Sequence, residues 1–455
     1  MKSYRIVIVT FLVGFSSLAQ SKKWTLRECI NHAIINNISV KQSELDLQNS
    51  QIAKKDAIGN FMPGISASAS HSWNIGLNQN ITTGLLQNQT TQFTSVGLSA
   101  NVDIFRGLQN VNQLRKSNLS LIASQYQLTK MQEDIALNVA NAYLQILFNK
   151  ENLKVQKEQK SLSEKQLART TQLVEAGNVP KGDLLDVQAT LASNNQKVIA
   201  AENAVLLSKL SLAQLLQLDD FKNFDISEDE VPSMLSTILN ESSEAIIAKA
   251  KASRTELKIA QTNIELAKKD IQIARAAYLP SLTGFYSYTT RASNSKRVSG
   301  VDSSGNIITA NALPIFDQFD TNKGQNFGLQ LTVPIFNGFA TRNNVERTKV
   351  AFERSKLNFN QQELDLERNV FTAYTDTKAA KESFEAATAS LASRKLAFEY
   401  AKERYEIGLM NVFDFNQSQT ALANAESEVV RTKYDYIFRI KILEFYFGVP
   451  LIEKQ

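Results

Sequence analysis

Apolar and polar positions alternate with a period of two in two stretches that mirror each other, residues 96–107 (VGLSANVDIFRG) and 327–338 (FGLQLTVPIFNG). In the first, Val96, Leu98, Ala100, Val102 and Ile104 fall on one side, and Gly97, Ser99, Asn101 and Asp103 on the other. In the second, Phe327, Leu329, Leu331, Val333 and Ile335 alternate with Gly328, Gln330, Thr332 and Pro334. The pattern predicts strands with one apolar and one polar face. About ten residues is also the length of a tilted strand that crosses a bilayer. Residues 65–77 and 282–290 carry similar alternation, so the chain offers four such strands in two pairs.

Elsewhere the period is helical. Residues 24–61 place Ile30, Ala33, Ile34, Ile38, Leu45 and Ile52 on one stripe and stop at Phe61-Met62-Pro63, where proline ends a helix. Residues 78–92, rich in Asn, Gln, Thr and Gly, predict a loop. From 108 to about 176 there is no proline or glycine. A helix of that length reaches roughly 100 Å and needs a partner throughout. Its seam is Ile135, Val139, Ala142, Ile146 and Leu153. The run Gly177-Asn178-Val179-Pro180-Lys181-Gly182 then stops one helix, and Asp183 helps begin another that extends to about 218. A connector of different composition follows at 219–243, with an acidic cluster at Glu228, Asp229 and Glu230 that reads as a solvated face.

The plan then recurs. The helix from 244 ends at Tyr278-Leu279-Pro280, which matches Phe61-Met62-Pro63 at an offset of 217. A loop is expected at 291–325, and from Phe327 the offset is 231. Val370, Ala373, Thr377, Ala380, Phe384, Ala387 and Leu391 step by three and four, a coiled-coil seam. Gly408 through Asp414 repeats the Gly177–Asp183 spacing. Two registers that differ by one insertion point to internal duplication. The repeats are 20–218 and 244–448, with a tail at 449–455.

Residues 1–19 have Lys2 and Arg5, an apolar run and a small-residue end, so they read as a secretory signal peptide. Its loss lowers the net charge of +5 by two. No basic patch with interleaved aromatics points to nucleic acid. Cys29 is the single cysteine, which excludes an intrachain disulfide and predicts a small packed residue. His32 and His71 have no companions at metal-ligand spacing, and no motif calls for a cofactor or for catalysis. A solitary chain cannot close its strands, because the smallest membrane barrels have about eight and an open edge in lipid is costly. Copies must complete the wall. Two chains give a filled barrel and three give room for a lumen, which the polar faces favour.

The duplicated plan, the Phe-Met-Pro and Tyr-Leu-Pro helix ends, Val-x-Ile-Phe-x-Gly at 102–107 and 333–338, and the Gly-x5-Asp turns resemble the TolC-like outer membrane efflux proteins (outer membrane factors) over nearly all of the mature chain. The resemblance implies a mainly α chain with membrane β. Long antiparallel helices would form an α-barrel joined to a trimeric 12-stranded β-barrel, four strands per chain, with the connector in an equatorial collar. It implies a homotrimer in outer-membrane lipid, reaching into the periplasm. The partners would be a periplasmic adaptor (membrane fusion) protein and an inner-membrane pump of resistance-nodulation-division, ABC or major facilitator type.

It also implies that Gly177, Asn178, Val179, Gly408, Leu409 and Met410 form tips that touch the adaptor, beside a periplasmic gate. Asp183 and Asp414 would line the gate as carboxylate rings, or cap the returning helices; the roles are compatible. The family's second acid is Asp186 in the first half but Gln417 in the second. Tyr405 matches an aromatic that holds the gate shut. The basic residue expected two after Gly408 is Met410, which allows an apolar plug instead. Two other readings compete. A trimeric surface adhesin would place its strands together at the C-terminus, and a periplasmic coiled-coil adaptor would need no lipid-facing strands.

Overall fold

The structure is a computed structural model that describes residues 23–79, 84, 86–219, 221, 223–228 and 237–449. The expected leader, the acidic residues Asp229 and Glu230 and most of the tail lie outside the described residues. In chain order the elements are β1 (Lys23–Trp24), α1 (Leu26–Asn36), α2 (Ile38–Gly59), β2 (Gly64–Gln79), β3 (Leu86–Arg106), α3 (Gln109–Glu175), α4 (Lys181–Leu216), β4 (Asp225–Ile226), a 3-10 turn (Thr237–Asn240), α5 (Ser243–Ser253), α6 (Thr255–Ala276), β5 (Ser281–Ser293), β6 (Arg297–Val301), β7 (Ile307–Ala310), α7 (Ile315–Thr321), β8 (Gly324–Thr332), α8 (Ala340–Glu406) and α9 (Val412–Phe447). They fall into two compact units, each drawing on both halves of the sequence.

The unit from 45–127 and 256–362 carries a sheet of order β2-β3-β5-β8, antiparallel throughout. The register aligns Ile65, Ala100, Tyr286 and Phe327 across the four strands, and Ala67, Leu98 and Tyr288 in the next row. These rows form one apolar face that stays open to the surroundings: Ile65 is 68% exposed, Phe327 76% and Leu329 66%. An apolar surface of this extent needs a non-aqueous neighbour. The other face is polar. Ser66 and Ser99 hydroxyls meet at 2.8 Å, and Ser70 and Ser95 at 2.7 Å. On that side the Phe285 ring lies over Gly328, where a Cβ would come within 3.0 Å of it.

Each half passes from strand to helix through two successive left-handed residues, Gly107-Leu108 (φ 57° and 65°) and Gly338-Phe339 (φ 60° and 65°). The Phe-x-Gly motif supplies the glycine, and the following residue bears the strain in both halves. Leu108 and Phe339 then offer their carbonyls to Asn112 and Asn343 N–H at 3.0 and 2.9 Å, which starts the long helices.

Several expectations need correction. The expected loop at 78–92 is mostly strand, because β2 continues to Gln79 and β3 begins at Leu86. Asn78 bonds the carbonyls of Gly76 and Gln89 at 3.2 and 3.0 Å, so polar side chains knit the hairpin that composition alone marks as loop. The expected loop at 291–325 holds the end of β5, the β6–β7 hairpin and α7. The second motif strand stops at Thr332 rather than running to Gly338, whereas β3 runs to Arg106. Pro334, which has no N–H to donate, stands where β3 has Asp103. The helices expected over 24–61 and 244–279 each break once, at Asn37 and Arg254. Each break is tied to the end of a returning helix: Asn37 donates to the Leu215 carbonyl at 3.0 Å and Arg254 to that of Phe445 at 3.5 Å.

The other unit is helical. Its core gathers Ile30, Val40, Val139, Tyr143, Ile146, Leu212 and Ile437, with Cys29 buried among them. Burial pushes the Cys29 thiol up to about 12. β1 pairs in parallel with β4, and the Tyr143 hydroxyl donates to the Ser227 carbonyl at 2.6 Å. Asp225 receives Lys150 at 2.8 Å and Lys209 at 3.0 Å. Burial raises the Asp225 pKa, but the hydrogen bonds from both lysines outweigh it and leave it lowered. In α8 the expected seam is occupied as read: Val370, Ala373, Thr377, Ala380 and Ala387 are buried, and Phe384 and Leu391 half-buried.

The two junction glycines separate strain from fit. A Cβ at Gly107 would stand 2.4 Å from the Ala276 carbonyl oxygen, whereas one at Gly338 meets nothing within 4 Å. Gly338→Ala is expected to cost about 1–2 kcal/mol, from backbone strain alone. Gly107→Ala adds an overpacking penalty and costs roughly 3 kcal/mol or more. Thermal unfolding of the two variants side by side checks the order.

Candidate functional site at the helical turns

The two turns share one backbone geometry. Gly177 (φ 75°) and Gly408 (φ 76°) are left-handed, which glycine adopts freely. Asn178 N–H donates to the Leu173 carbonyl, and Leu409 N–H to that of Arg404, both at 2.8 Å. These bonds close the carbonyl ends of α3 and α8. The returning helices start differently. At α9 the Asn411 side chain accepts from Asp414 N–H at 2.8 Å and donates to the Asp414 carboxylate at 2.9 Å. At α4, Pro180 holds the cap position without a side-chain bond. Asp183 and Asp414 are therefore the acids of the first turn, where they complement the helix dipole, and Asn411 is the capping side chain.

Gly177, Asn178, Gly408 and Leu409 are exposed, and so are Asp186, Asp414 and Gln417. Val179, Asp183 and Met410 are half-buried. Met410 packs with Tyr405 on the cluster of Phe398, Phe415 and Leu422. Tyr405 is the most connected of the sequence-selected residues. Its ring stacks on Phe415 at 4.6 Å, and its hydroxyl accepts from Gln166 at 2.6 Å. The Arg169 guanidinium lies 5.6 Å from the Tyr405 ring and donates to the Glu406 carbonyl at 3.1 Å. Tyr405 thus ties α8 to α3 and α9. Among the described residues, no hydrogen bond or ion pair joins Tyr405, Asp183, Asp186, Asp414 and Gln417 to one another.

A buried polar seam runs from Tyr405 along α3, and because its residues are polar it leaves no mark in the apolar periodicity. Gln159, Ser163, Gln166 and Thr170 step by four, three and four, and all are buried. Ser163 receives Asn194 of α4 at 2.7 Å and Gln419 of α9 at 3.3 Å. Gln159 donates to Glu426 at 3.0 Å. Burial raises the Glu426 pKa, opposed by that hydrogen bond, with Glu158 nearby adding to the rise. Thr170 Oγ1 and Gln419 Oε1 are buried without a partner. The α3 seam is therefore aliphatic at Ile135, Val139 and Ile146 and carries amides and hydroxyls toward the turns, beside the apolar cluster of Phe398, Phe415 and Leu422. Polar pairs contribute about 1 kcal/mol each and orphaned groups cost as much or more, so this stretch of α3 is the weaker part of its seam. Among the described residues no group of His, Cys, Asp and Glu is placed to hold a metal ion.

A sheet with one exposed apolar and one polar face, joined to long helices that return through matched turns, is the architecture of a membrane-wall subunit. The family model described as "Outer membrane efflux protein" matches residues 29–217 and 246–440, and the chain belongs to that family. It is thus an outer-membrane protein of an efflux family. The chain is 22% identical to outer membrane protein TolC of Escherichia coli, over 95% of this chain and 83% of the relative. It is 20% identical to the cation efflux system protein CusC of Escherichia coli, over 90% and 83%. Its fold matches the Campylobacter jejuni CmeC outer membrane channel with a TM-score of 0.77 at 20% identity, covering 93% of this chain and 85% of that one.

Tyr405→Phe keeps the stack on Phe415 and deprives the buried Gln166 amide of its acceptor. The expected cost is about 1–2 kcal/mol, confined to the turn end. Hydrogen exchange should quicken around residues 398–415 and stay unchanged around Val139 and Ile146. Equal quickening at both ends would contradict a locally weak seam.

Proposed function

We propose that the protein is the outer-membrane exit duct of a tripartite efflux or type I secretion system, a passive channel whose wall is built from three copies. The observation that carries this reading is the four-stranded sheet with an exposed apolar face and two free edges, β2 and β8. In a bilayer those edges require a further strand. Pairing β8 of one copy with β2 of the next gives twelve strands from three copies, with the serine face turned to a wet interior. The helices support the same closure. α4 presents Leu185, Ile199, Leu206 and Leu207, all more than half exposed, to whatever stands beside it. A neighbouring copy in a helical wall would cover them. The equal lengths of α3 and α8 (67 residues) and of α4 and α9 (36 residues) fit the internal duplication proposed from sequence.

On this reading the turns at Gly177 and Gly408 form the periplasmic tip. The exposed Leu409 and Phe413 are its adaptor contacts, and Asp183, Asp186 and Asp414 give the narrow end its negative charge. Cargo is selected by the inner-membrane pump. A soluble adaptor would not need the apolar sheet face, and an adhesin would not need two separated hairpins.

Asp414→Asn tests the carboxylate role without removing the cap, since Asn411 still accepts from the backbone N–H at 414. Helix stability should change by about 0.5 kcal/mol or less. In planar bilayers the reconstituted wild-type protein should conduct and favour cations, and the variant should lose part of that preference. Unchanged selectivity would remove the carboxylate ring. A folded, inserted protein that conducts nothing at any voltage would remove the duct.

A further inference from the structure

Helix α7 is fastened to the outside of the sheet wall. The Thr290 hydroxyl donates to the Phe319 carbonyl at 2.7 Å. The Gln318 side chain accepts from Ser293 N–H at 2.9 Å and donates to the Ser293 carbonyl at 3.0 Å, and Asn322 donates to the Arg291 carbonyl at 2.8 Å. Thr290 and Ala292 lie on the same face of β5 as Tyr286 and Tyr288, two and four residues further along the strand. Both are buried, while most of the apolar face is open. The helix therefore sits on the apolar side of the sheet, not over the polar interior.

Its height on the wall is informative. Val96, the last apolar residue of the β3 alternation, pairs with Thr290. The next same-face residues of β3 are Thr94, Gln92 and Thr90. α7 thus covers the level where the apolar band of β3 ends, at the end of β5 away from α6. At this level on β2, Trp73 pairs with Gln92 and is 59% exposed on the same face, with its ring edge-on to His71 at 4.2 Å. Ile75 and Leu77 continue the β2 face beyond Trp73, 81% and 68% exposed, so Trp73 lies toward the end of that band, a placement that suits a membrane–water interface. α7 adds Phe316, 79% exposed, and Ile315, with the Asp320–Lys323 ion pair (2.6 Å) beside them. A short helix with aromatic and aliphatic tips and a nearby charge pair suits the headgroup layer.

We propose that α7 is an interfacial foot that seats in the headgroup layer of the outer leaflet, with Phe316 as its anchor and lipid as its occupant. This rests on the apolar sheet face being the lipid face, so the test includes that face separately. Single cysteines at Phe316, Leu98 and Ser304 carry a nitroxide label in the full-length protein, reconstituted in vesicles of phosphatidylcholine and phosphatidylglycerol. Cys29 is buried with a raised thiol pKa and stays unlabelled. Leu98 marks the apolar face and Ser304 the exposed turn of the β6–β7 hairpin. Collision rates with oxygen and with a water-soluble nickel chelate give depth. The label at Phe316→Cys should favour oxygen over nickel several-fold more than at Ser304→Cys, and less than at Leu98→Cys. Nickel access at Phe316 equal to that at Ser304, with Leu98 still in lipid, overturns the foot alone. A water-exposed label at Leu98 overturns the lipid-facing wall beneath it. Dipolar broadening between labels at Phe316 means that a second copy, not lipid, covers the helix, and also overturns the proposal.

Discussion

In hydrocarbon a backbone N–H or C=O has no water to bond, and each one left unpaired costs several kcal/mol. That penalty governs this chain. β2 and β8 are the outer strands of a four-stranded sheet, and each pairs on one side only. In water the free sides would be solvated at little cost. With the exposed face of Ile65, Leu98, Phe327 and Leu329 in lipid, as proposed, they have no water to bond. On the proposed reading the wall is a property of several copies, and the inward serines and the long helices follow from sharing it.

The helices obey a related rule. A helix of 67 residues has too narrow a stripe to be buried by its own chain alone. The chain packs it with aliphatic side chains where Ile146, Leu212 and Ile437 converge and with buried polar ones at Gln159, Ser163, Gln166 and Thr170. Tyr405 stands at the polar end of that seam and bridges α8 to α3 and α9. An element meant to separate is better joined by a few polar bonds and one ring stack than by a continuous aliphatic seam. On the proposed reading, that is the physical basis for opening at the turns while the far end stays closed.

Much of this was legible because it depends on local rules. Gly177 and Gly408 end helices, the prolines at 63 and 280 stop them, and period two marks the membrane strands. What escaped depends on partners. Asn78 and Gln89 read as loop by composition, yet they lie in paired strands, where cross-strand neighbours decide the conformation. The same holds for α7, seven residues long and held by Thr290 and Ser293 from outside its own span. The strained Leu108 and Phe339 carry no signal of their own, since ordinary residues rarely adopt positive φ. The polar seam has helical spacing, but glutamine, serine and threonine leave no apolar stripe in the sequence. Of the sequence-selected tip residues, the fold gives Tyr405 and Met410 packed neighbours and leaves Leu409 and Gln417 open.

The central claim is that the free edges of β2 and β8 belong to one another in different copies. A cysteine fixed at Asn326 on β8, paired in turn with single cysteines along β2 from Ser66 to Ser70, measures this in intact membranes under mild oxidation. The account predicts that one register gives covalent ladders that end at three chains, while neighbouring registers give little. Monomers at every register, or a bond closing within a single chain, would contradict it.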